Sequence, residues 1–388
     1  MDKEGLRSDA GATKRLVSLA GTLLAKGGTL ESTGGSGPID RDELAAALED
    51  RILSDDSMSN DLPPTITAKA AALQALTHSE SALQKVANDG SSANLTDLEV
   101  SALEAIIEVT GRPAQRYSNG KVQSIKGALG DNVHWQVLIA TARSDINTAS
   151  ASVGRIAITN NFGLAEGIGT GWRTHDNLIV TNRHVARELV TNPNDSISAW
   201  KLDAGKKSFI DFAATDNSAG AKSFAIADLL FVAPEPDVDL AILSISSTVA
   251  SLPEPLTINW APESLGEENG DPPVFTGREI YVVGHPFRRR PSDLVVSVFG
   301  NADGMKRWSP GFVKRICSEQ PALEHDCSTL GGNSGSCVFT TDTHEVVGVH
   351  FGGINVNEQT AKGSANLAIP LSRLGDHRAA KIIRDGTL

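Results

Sequence analysis

The feature that most constrains this 388-residue chain is a change of texture near residue 150. Beyond it, short runs rich in Val, Ile, Leu and aromatic residues recur between clusters of Gly, Asn, Asp and Pro. These are Arg155–Ile158, Gly169–Arg173, Leu178–Thr181, Leu229–Val232, Leu240–Ile245, Glu279–Val283, Leu294–Val298, Gly335–Phe339, Val346–Phe351 and Leu367–Ile369. Branched and aromatic side chains suit a pleated, half-buried surface, and many short strands punctuated by turn residues point to barrels or sandwiches. Residues 151–388 are long enough for two six-stranded barrels.

Before residue 150 the apolar pattern is helical. Asp40 with Glu43 forms a capping box ahead of Leu44, Ala47, Leu48 and Ile52. Pro63-Pro64 break the chain, and an Ala-rich helix is expected from about Thr67 to Val86, stopped by Asn88-Asp89-Gly90. A second capping box, Thr96 with Glu99, opens a helix carrying Leu98, Ala102, Leu103, Ile106 and Ile107, with Leu95 and Val100 placed as a hydrophobic staple. Gly111 and Pro113 end it, Asn119-Gly120 reads as a tight turn, and a last helix from Asp131 to about Asn147 presents Trp135, Leu138, Ile139, Ala142 and Ile146. Residues 1–150 therefore read as all-α, and no chemistry-bearing motif occurs in them.

Composition narrows the classes. A formal charge of -12 disfavours general nucleic-acid binding, which needs a basic face. No apolar run is long enough for a transmembrane helix, so no membrane partner is expected. Lys14-Arg15 precede an apolar run from Leu16 to Ala25. Asp2, Glu4 and Asp9 spoil the basic start of a signal peptide, and Lys26 stands where a small-residue cleavage site should be. Leu16, Leu19, Ala20, Leu23 and Leu24 fall at helical spacing, so an amphipathic helix is expected there. The Gly/Ser/Thr-rich residues 27–38 read as a flexible linker. Three sparse cysteines, Cys317, Cys327 and Cys337, do not form a secreted disulfide framework, although a Cys317–Cys327 bridge stays open. Metal-ligand spacing is absent, so neither metal nor cofactor is expected, and the location expected is cytoplasmic.

Three local signatures carry chemistry. Leu178-Ile-Val-Thr-Asn-Arg-His-Val-Ala186 is an apolar strand ending in His184. Asp237-Val-Asp-Leu-Ala-Ile-Leu243 sets Asp239 directly before an apolar strand. Ser328-Thr-Leu-Gly-Gly-Asn-Ser-Gly-Ser-Cys-Val-Phe339 encloses Ser334 in Gly-Asn-Ser-Gly. A serine hydroxyl is a weak nucleophile near neutral pH and needs a base within hydrogen-bond reach. Histidine titrates in the range to take that proton and return it, and a carboxylate on its other nitrogen fixes the tautomer. Glycines around Ser334 let the main chain turn two N–H groups, those of Gly332 and Ser334, toward one developing oxyanion. Asp237, two residues before Asp239, is a rival for the carboxylate. His175, His285, His325 and His344 lack the strand leading into the motif.

Together the three motifs resemble the chymotrypsin-like, or trypsin-like, serine proteases over about residues 151–388, in the family's chain order His, Asp, Ser. The resemblance implies a double six-stranded β-barrel behind an all-α N-terminal region, and a serine endopeptidase acting through an acyl-enzyme on protein or peptide substrates. The expected organisation is a helix and linker over 1–38, a helical adaptor or regulatory region over 39–150 able to bind a regulatory protein partner, and a protease domain over 151–388. The competing class is a protease-fold binding module or scaffold without turnover, whose mark would be a missing triad residue.

Ser-Thr-Leu-Gly-Gly-Asn-Ser-Gly-Ser is similar to the bacterial glutamyl endopeptidases. That resemblance places Thr329 and His350 on opposite walls of the primary specificity pocket and Ser328 at its floor, where trypsin has aspartate. It implies a preference for Glu or Asp before the scissile bond, read by charge-assisted hydrogen bonds. The alternative for His350 is a packed strand histidine. Cys337 sits where the family usually has proline and reads as a small packed residue. Asn333 cannot form the ion pair with a freed N-terminal amine that activates trypsin-like zymogens. In secreted glutamyl endopeptidases the mature amine helps bind the acidic residue. Here either a cut near Ser152 supplies one, or the pocket manages without. Arg288-Arg289-Arg290, between Pro286 and Pro291, reads as a solvated loop or as a steering patch for acidic substrates. By analogy of architecture, the chain resembles bacterial stress or defence proteases.

Overall fold

A computed structural model gives the fold. It describes residues 41–54, 66–89, 95–96, 98–99, 102–103, 111–126, 129–159, 164–215, 222–246, 252–261, 277–287, 304–317, 322–329, 331–353 and 366–386. The expected helix at 16–25, the linker, the capping residue Asp40, the staple residue Val100, the strand Leu294–Val298 and the triple arginine lie outside the described residues.

Two helices come first, α1 (Arg41–Ser54) and α2 (Ala68–Asp89). Ala47, Leu48 and Ile52 of α1 are buried with Ala71, Ala72, Ala75 and Leu76 of α2, in a cluster separate from the barrels' cores. Alanine on the facing stripe lets the two backbones approach closely. The Thr96–Glu99 capping box is present in both directions: Thr96 N donates to Glu99 Oε2 at 2.8 Å, and Glu99 N donates to Thr96 Oγ1 at 3.3 Å. Burial alone would raise the Glu99 carboxyl, but hydrogen bonds from Lys85, Thr96 and Ser81 hold it down at about 2.

The region between the helices is not wholly helical. β1 (Gln115–Ser118) and β2 (Lys121–Val122) form a hairpin around Asn119-Gly120. Both turn residues have positive φ, 50° and 73°, the backbone that a two-residue hairpin loop requires and that Asn-Gly adopts readily. The short hairpin has too few alternating residues to register as strand by periodicity. α3 (Asn132–Ser150) follows.

The first barrel is built from β3 (Val153–Thr159), β4 (Ala165–Arg173), β5 (Leu178–Thr181), β6 (Ser208–Asp211), β7 (Ser223–Val232) and β8 (Ala241–Ile245), closed in the order β3-β4-β5-β8-β7-β6. A short helix, α4 (Arg183–Arg187), follows β5. The second comprises β9 (Glu279–Gly284), β10 (Arg307–Ile316), β11 (Leu323–His325), β12 (Cys337–Thr340), β13 (Val346–Gly353) and β14 (Asn366–Pro370). The pairings β9–β10–β11–β14–β13–β12 return to β9, so six antiparallel strands close this barrel too. α5 (Arg378–Asp385) ends the described chain, with His377 capping its start by accepting from Ala379 N at 3.1 Å.

β6, β10 and β11 were not expected. Pro310 and the charged Lys314-Arg315 interrupt the apolar alternation of β10, and β6 and β11 are four and three residues long. Cys317, Cys327 and Cys337 are all free thiols, and Cys337 is buried in β12.

The largest core ties these parts together. Trp135, Ile139 and Ile146 of α3 are buried with Tyr117 and Val122 of the hairpin, Trp172 and Val180 of the first barrel, and Tyr281, Trp308 and Phe339 of the second. Lys306, also buried, donates from Nζ to Ser150 O at 2.8 Å and Phe212 O at 3.0 Å, joining the end of α3 to the first barrel. Burial lowers its ammonium to about 7. Trp135 is fully enclosed, and its indole N–H donates to Gly111 O at 3.1 Å. Trp135→Ala should therefore lower stability by about 3–5 kcal/mol, the usual loss for a large buried aromatic. Denaturant unfolding of the full chain checks this, and a loss under about 1 kcal/mol would mean that α3 is not part of the core.

Candidate active site

The register of the first barrel sets the site. β5 pairs antiparallel with β8, Thr181 opposite Ala241, so the residues just after β5 and just before β8 emerge at the same end. His184, on α4, and Asp239 meet there. His184 Nδ1 lies 2.5 Å from Asp239 Oδ2, and His184 main-chain N donates to Asp239 Oδ1 at 3.0 Å. Asn182 Nδ2 adds a bond to Asp239 O at 2.8 Å. Burial would raise the Asp239 carboxyl, but the His184 contacts and the nearby charge of Arg183 bring it below the usual carboxylate value. The imidazole stays accessible, with 47% of its side chain exposed.

Arg183 organises the loop that delivers Asp239. Its Nη1 donates to the carbonyls of Ala233 (2.9 Å), Pro234 (3.2 Å), Asp237 (3.2 Å) and Val238 (3.0 Å). The rival Asp237 is engaged elsewhere, with Oδ2 2.8 Å from His377 Nε2. The other candidate histidines have local partners as well. The His175 ring reaches Arg384 O, the His285 ring Gly304 O, and the His344 ring the Tyr281 hydroxyl. Burial takes the His285 imidazole well below its ordinary range.

Ser334 lies in the second barrel's turn and is joined to the first barrel through the main chain. Its carbonyl accepts from Thr170 N at 2.8 Å. Gly169 is wedged beside it: a Cβ there would fall 2.7 Å from the Val185 methyls and 3.2 Å from Ser334 O. Val185 is the residue after His184. The turn demands glycine at two places. Gly332 and Gly335 both have φ of +88°, and a Cβ at Gly335 would meet Thr170 O at 2.1 Å. Thr170 Oγ1 donates to Gly332 O at 2.8 Å, which fixes the turn against β4, and Thr181 Oγ1 donates to Thr170 O at 2.7 Å, joining β5 to β4 behind it. Among the described residues, the N–H groups of Gly332 and Ser334 enter no main-chain hydrogen bond.

Of the expected pocket residues, His350 adjoins this turn through the main chain. Gly335 N donates to His350 O, and His350 N to Ser336 O, both at 2.8 Å, so β13 runs beside the Ser334 turn. Thr329 and His350 are buried. The His350 ring is backed by a second histidine: His325 Nε2 lies 3.2 Å from His350 Nδ1, with the rings edge to face. The Ser328 hydroxyl donates to Arg112 O at 2.7 Å. Two residues earlier, Asp326 Oδ2 receives Arg112 Nη2 at 2.8 Å and Lys314 Nζ at 2.8 Å. Burial would raise the Asp326 carboxyl, yet the charges and hydrogen bonds of Arg112 and Lys314 take it down to about 2.

Comparison with known proteins accords with this geometry. Residues 169–349 match the trypsin-like peptidase domain family. The matched residues carry a trypsin-like peptidase domain. A distant homologue is the glutamyl endopeptidase of Staphylococcus epidermidis, 28% identical over 193 residues, a stretch covering 48% of this chain and 55% of the relative. The chain thus matches about half the length of that relative. Among solved structures, the active form of the Rv3671c protease from M. tuberculosis is 17% identical with a TM-score of 0.37, over 62% of this chain and 86% of that one. Deg5 is 20% identical with a TM-score of 0.35, over 63% and 96% respectively.

Arg183, Arg112 and Asp326 escaped the sequence reading, and His325 entered it only as a histidine lacking the strand before the motif. Arg183 and His325 stand in or beside runs already singled out, but their partners depend on loop folding and strand order. Arg112 and Asp326 are 214 residues apart, and no local pattern joins them. The trypsin-like peptidase domain also yields a pH test. The Asp326 carboxyl is depressed from 3.8 to about 2, so its contribution to stability is complete above about pH 4 and fades as pH falls through 2. At about 1.4 kcal/mol per unit, Asp326→Asn should cost roughly 2 kcal/mol near pH 6 and converge on the parent near pH 2. Unfolding curves across that range check it, and a difference independent of pH would exclude the ionised pair as the source.

Proposed function

We propose that the protein is a serine endopeptidase with His184, Asp239 and Ser334 as its catalytic triad. The observation that carries this reading is the 2.5 Å contact between His184 Nδ1 and Asp239 Oδ2 at the end of the first barrel. The Ser334 turn, bonded to Thr170 one residue from Gly169, supports it. In this reading the Ser334 hydroxyl attacks the scissile carbonyl while His184 Nε2 takes its proton. Asp239 holds the tautomer and stabilises the imidazolium. The carbonyl oxygen becomes an anion facing the N–H groups of Gly332 and Ser334, a kind of donor worth roughly 100- to 1000-fold in rate. The imidazolium then protonates the leaving amine, and water, deprotonated by His184, releases the acyl group and restores the serine.

The acidic preference belongs to the same proposal. His350 and Thr329, with Ser328 at the floor, would read Glu or Asp before the cut, with the His325 ring orienting that of His350. The likeness to a protein named glutamyl endopeptidase supports that preference. Residues 39–150 are proposed to bind a regulatory partner, because α1 and α2 have a cluster of their own and leave Leu53 and Leu73 exposed.

A fluorophosphonate probe should label the parent chain at Ser334, and Ser334→Ala should abolish labelling and reduce peptide hydrolysis by roughly a million-fold. Unlabelled parent protein would favour a silent binding module. A peptide library should be cut after Glu first, and His350→Ala should lower that cleavage by on the order of 10- to 100-fold while affecting apolar sites less. A profile dominated by Lys, Arg or large apolar residues would remove the acidic preference.

A further inference from the structure

We infer that Arg112 is a positioning residue for the specificity wall, holding residues 326–329 from a segment outside the matched peptidase residues. The inference rests on the proposed pocket of Ser328, Thr329 and His350. Arg112 engages that run twice. Its guanidinium binds Asp326 through Nη2 at 2.8 Å, and its carbonyl accepts the Ser328 hydroxyl at 2.7 Å. The two contacts come from opposite ends of one residue and grip both ends of a three-residue stretch.

The barrel fastens the start of this stretch. Asp326 Oδ1 accepts Phe312 N at 2.7 Å, and Cys327 O accepts Asn366 Nδ2 at 2.6 Å, so these two residues are fastened to β10 and β14. Ser328 follows β11 and its hydroxyl donates to Arg112 O. Thr329, the proposed wall, comes next. The wall is thus one residue removed from an anchor supplied by the N-terminal part.

Arg112 is itself held firmly. Its Nη1 binds Asp131 Oδ2 at 2.9 Å, its guanidinium lies 4.9 Å from the Phe312 ring centre, and 12% of its side chain is exposed. Gly111 O receives the Trp135 indole N–H, and β1 starts four residues later on β10. A planar fork spanning two carboxylates and stacking on a ring cannot be reproduced by lysine, whose ammonium is a point charge.

The test uses the full chain. Parent, Arg112→Gln, Arg112→Lys and Asp131→Asn proteins are compared by inactivation rates with peptide phosphonates bearing Glu, Phe, Lys or Gly before the phosphorus, and with a small fluorophosphonate that leaves the pocket empty. The preferred side chain is the one the parent selects over Gly. The expected result is a loss of that selectivity by about tenfold or more in Arg112→Gln, since misplacement of a binding wall by about an ångström costs on that order. Fluorophosphonate labelling should stay within about threefold of the parent, and peptide hydrolysis should show a raised KM with a smaller change in kcat. Arg112→Lys and Asp131→Asn should fall between. If Arg112→Gln fails to fold, Asp131→Asn, which leaves Asp326 paired, decides. Equal loss with every probe, or unchanged selectivity, would overturn the inference. A parent that does not react with the fluorophosphonate would instead refute the catalytic reading, and a parent that reacts but selects nothing over Gly would refute the pocket.

Discussion

The arrangement depends first on the antiparallel register of β5 and β8. With Thr181 opposite Ala241, the chain that leaves one strand and the chain that enters the other emerge side by side. Side chains of the two strands alternate between two buried cores, Val180 and Ile242 in one and Ile179 and Leu243 in the other, and this pairing places His184 against Asp239. The His184 main chain and ring then bond the Asp239 carboxylate, and Asn182 bonds the Asp239 main-chain carbonyl. Arg183 extends this control to the loop behind Asp239, and Asp237 is drawn to the C-terminal helix through His377.

The second barrel contributes a turn rather than a strand. Gly332 and Gly335 adopt backbone angles that favour glycine, and the Thr170 hydroxyl fastens the turn to the first barrel, with Thr181 bonded behind it to Thr170 O. The candidate residues therefore come from both barrels, and the Thr170 contacts cross between them. Arg112 adds a third participant, because it reaches the same barrel from the N-terminal side.

Much of this could be read from residue order. The apolar runs before His184 and after Asp239 are strands because both faces are covered, which makes them nearly continuous apolar stretches. The helices α1, α2 and α3 carried clear caps or apolar stripes. What escaped was of two kinds. β10 is interrupted by Pro310 and by charges that its exposed positions tolerate, so alternation fails along a strand that pairing with β9 and β11 nonetheless holds. The links from Arg112 to Asp326 and from His325 to His350 depend on which strands lie side by side, and a linear sequence does not display adjacency of that kind. Both lie next to residues that were legible: His350 was singled out and its supporting His325 was not.

The pairing of β1 with β10 has a consequence for association between molecules. At Arg307 and Trp308, β10 is bonded to β9 on one flank and to β1 on the other. Without the hairpin, that second flank would present unpaired N–H and C=O groups, a template on which a strand from another molecule can dock. The N-terminal part thereby acts as a cover over an open sheet margin, and it favours keeping the protein as separate particles in a crowded solution.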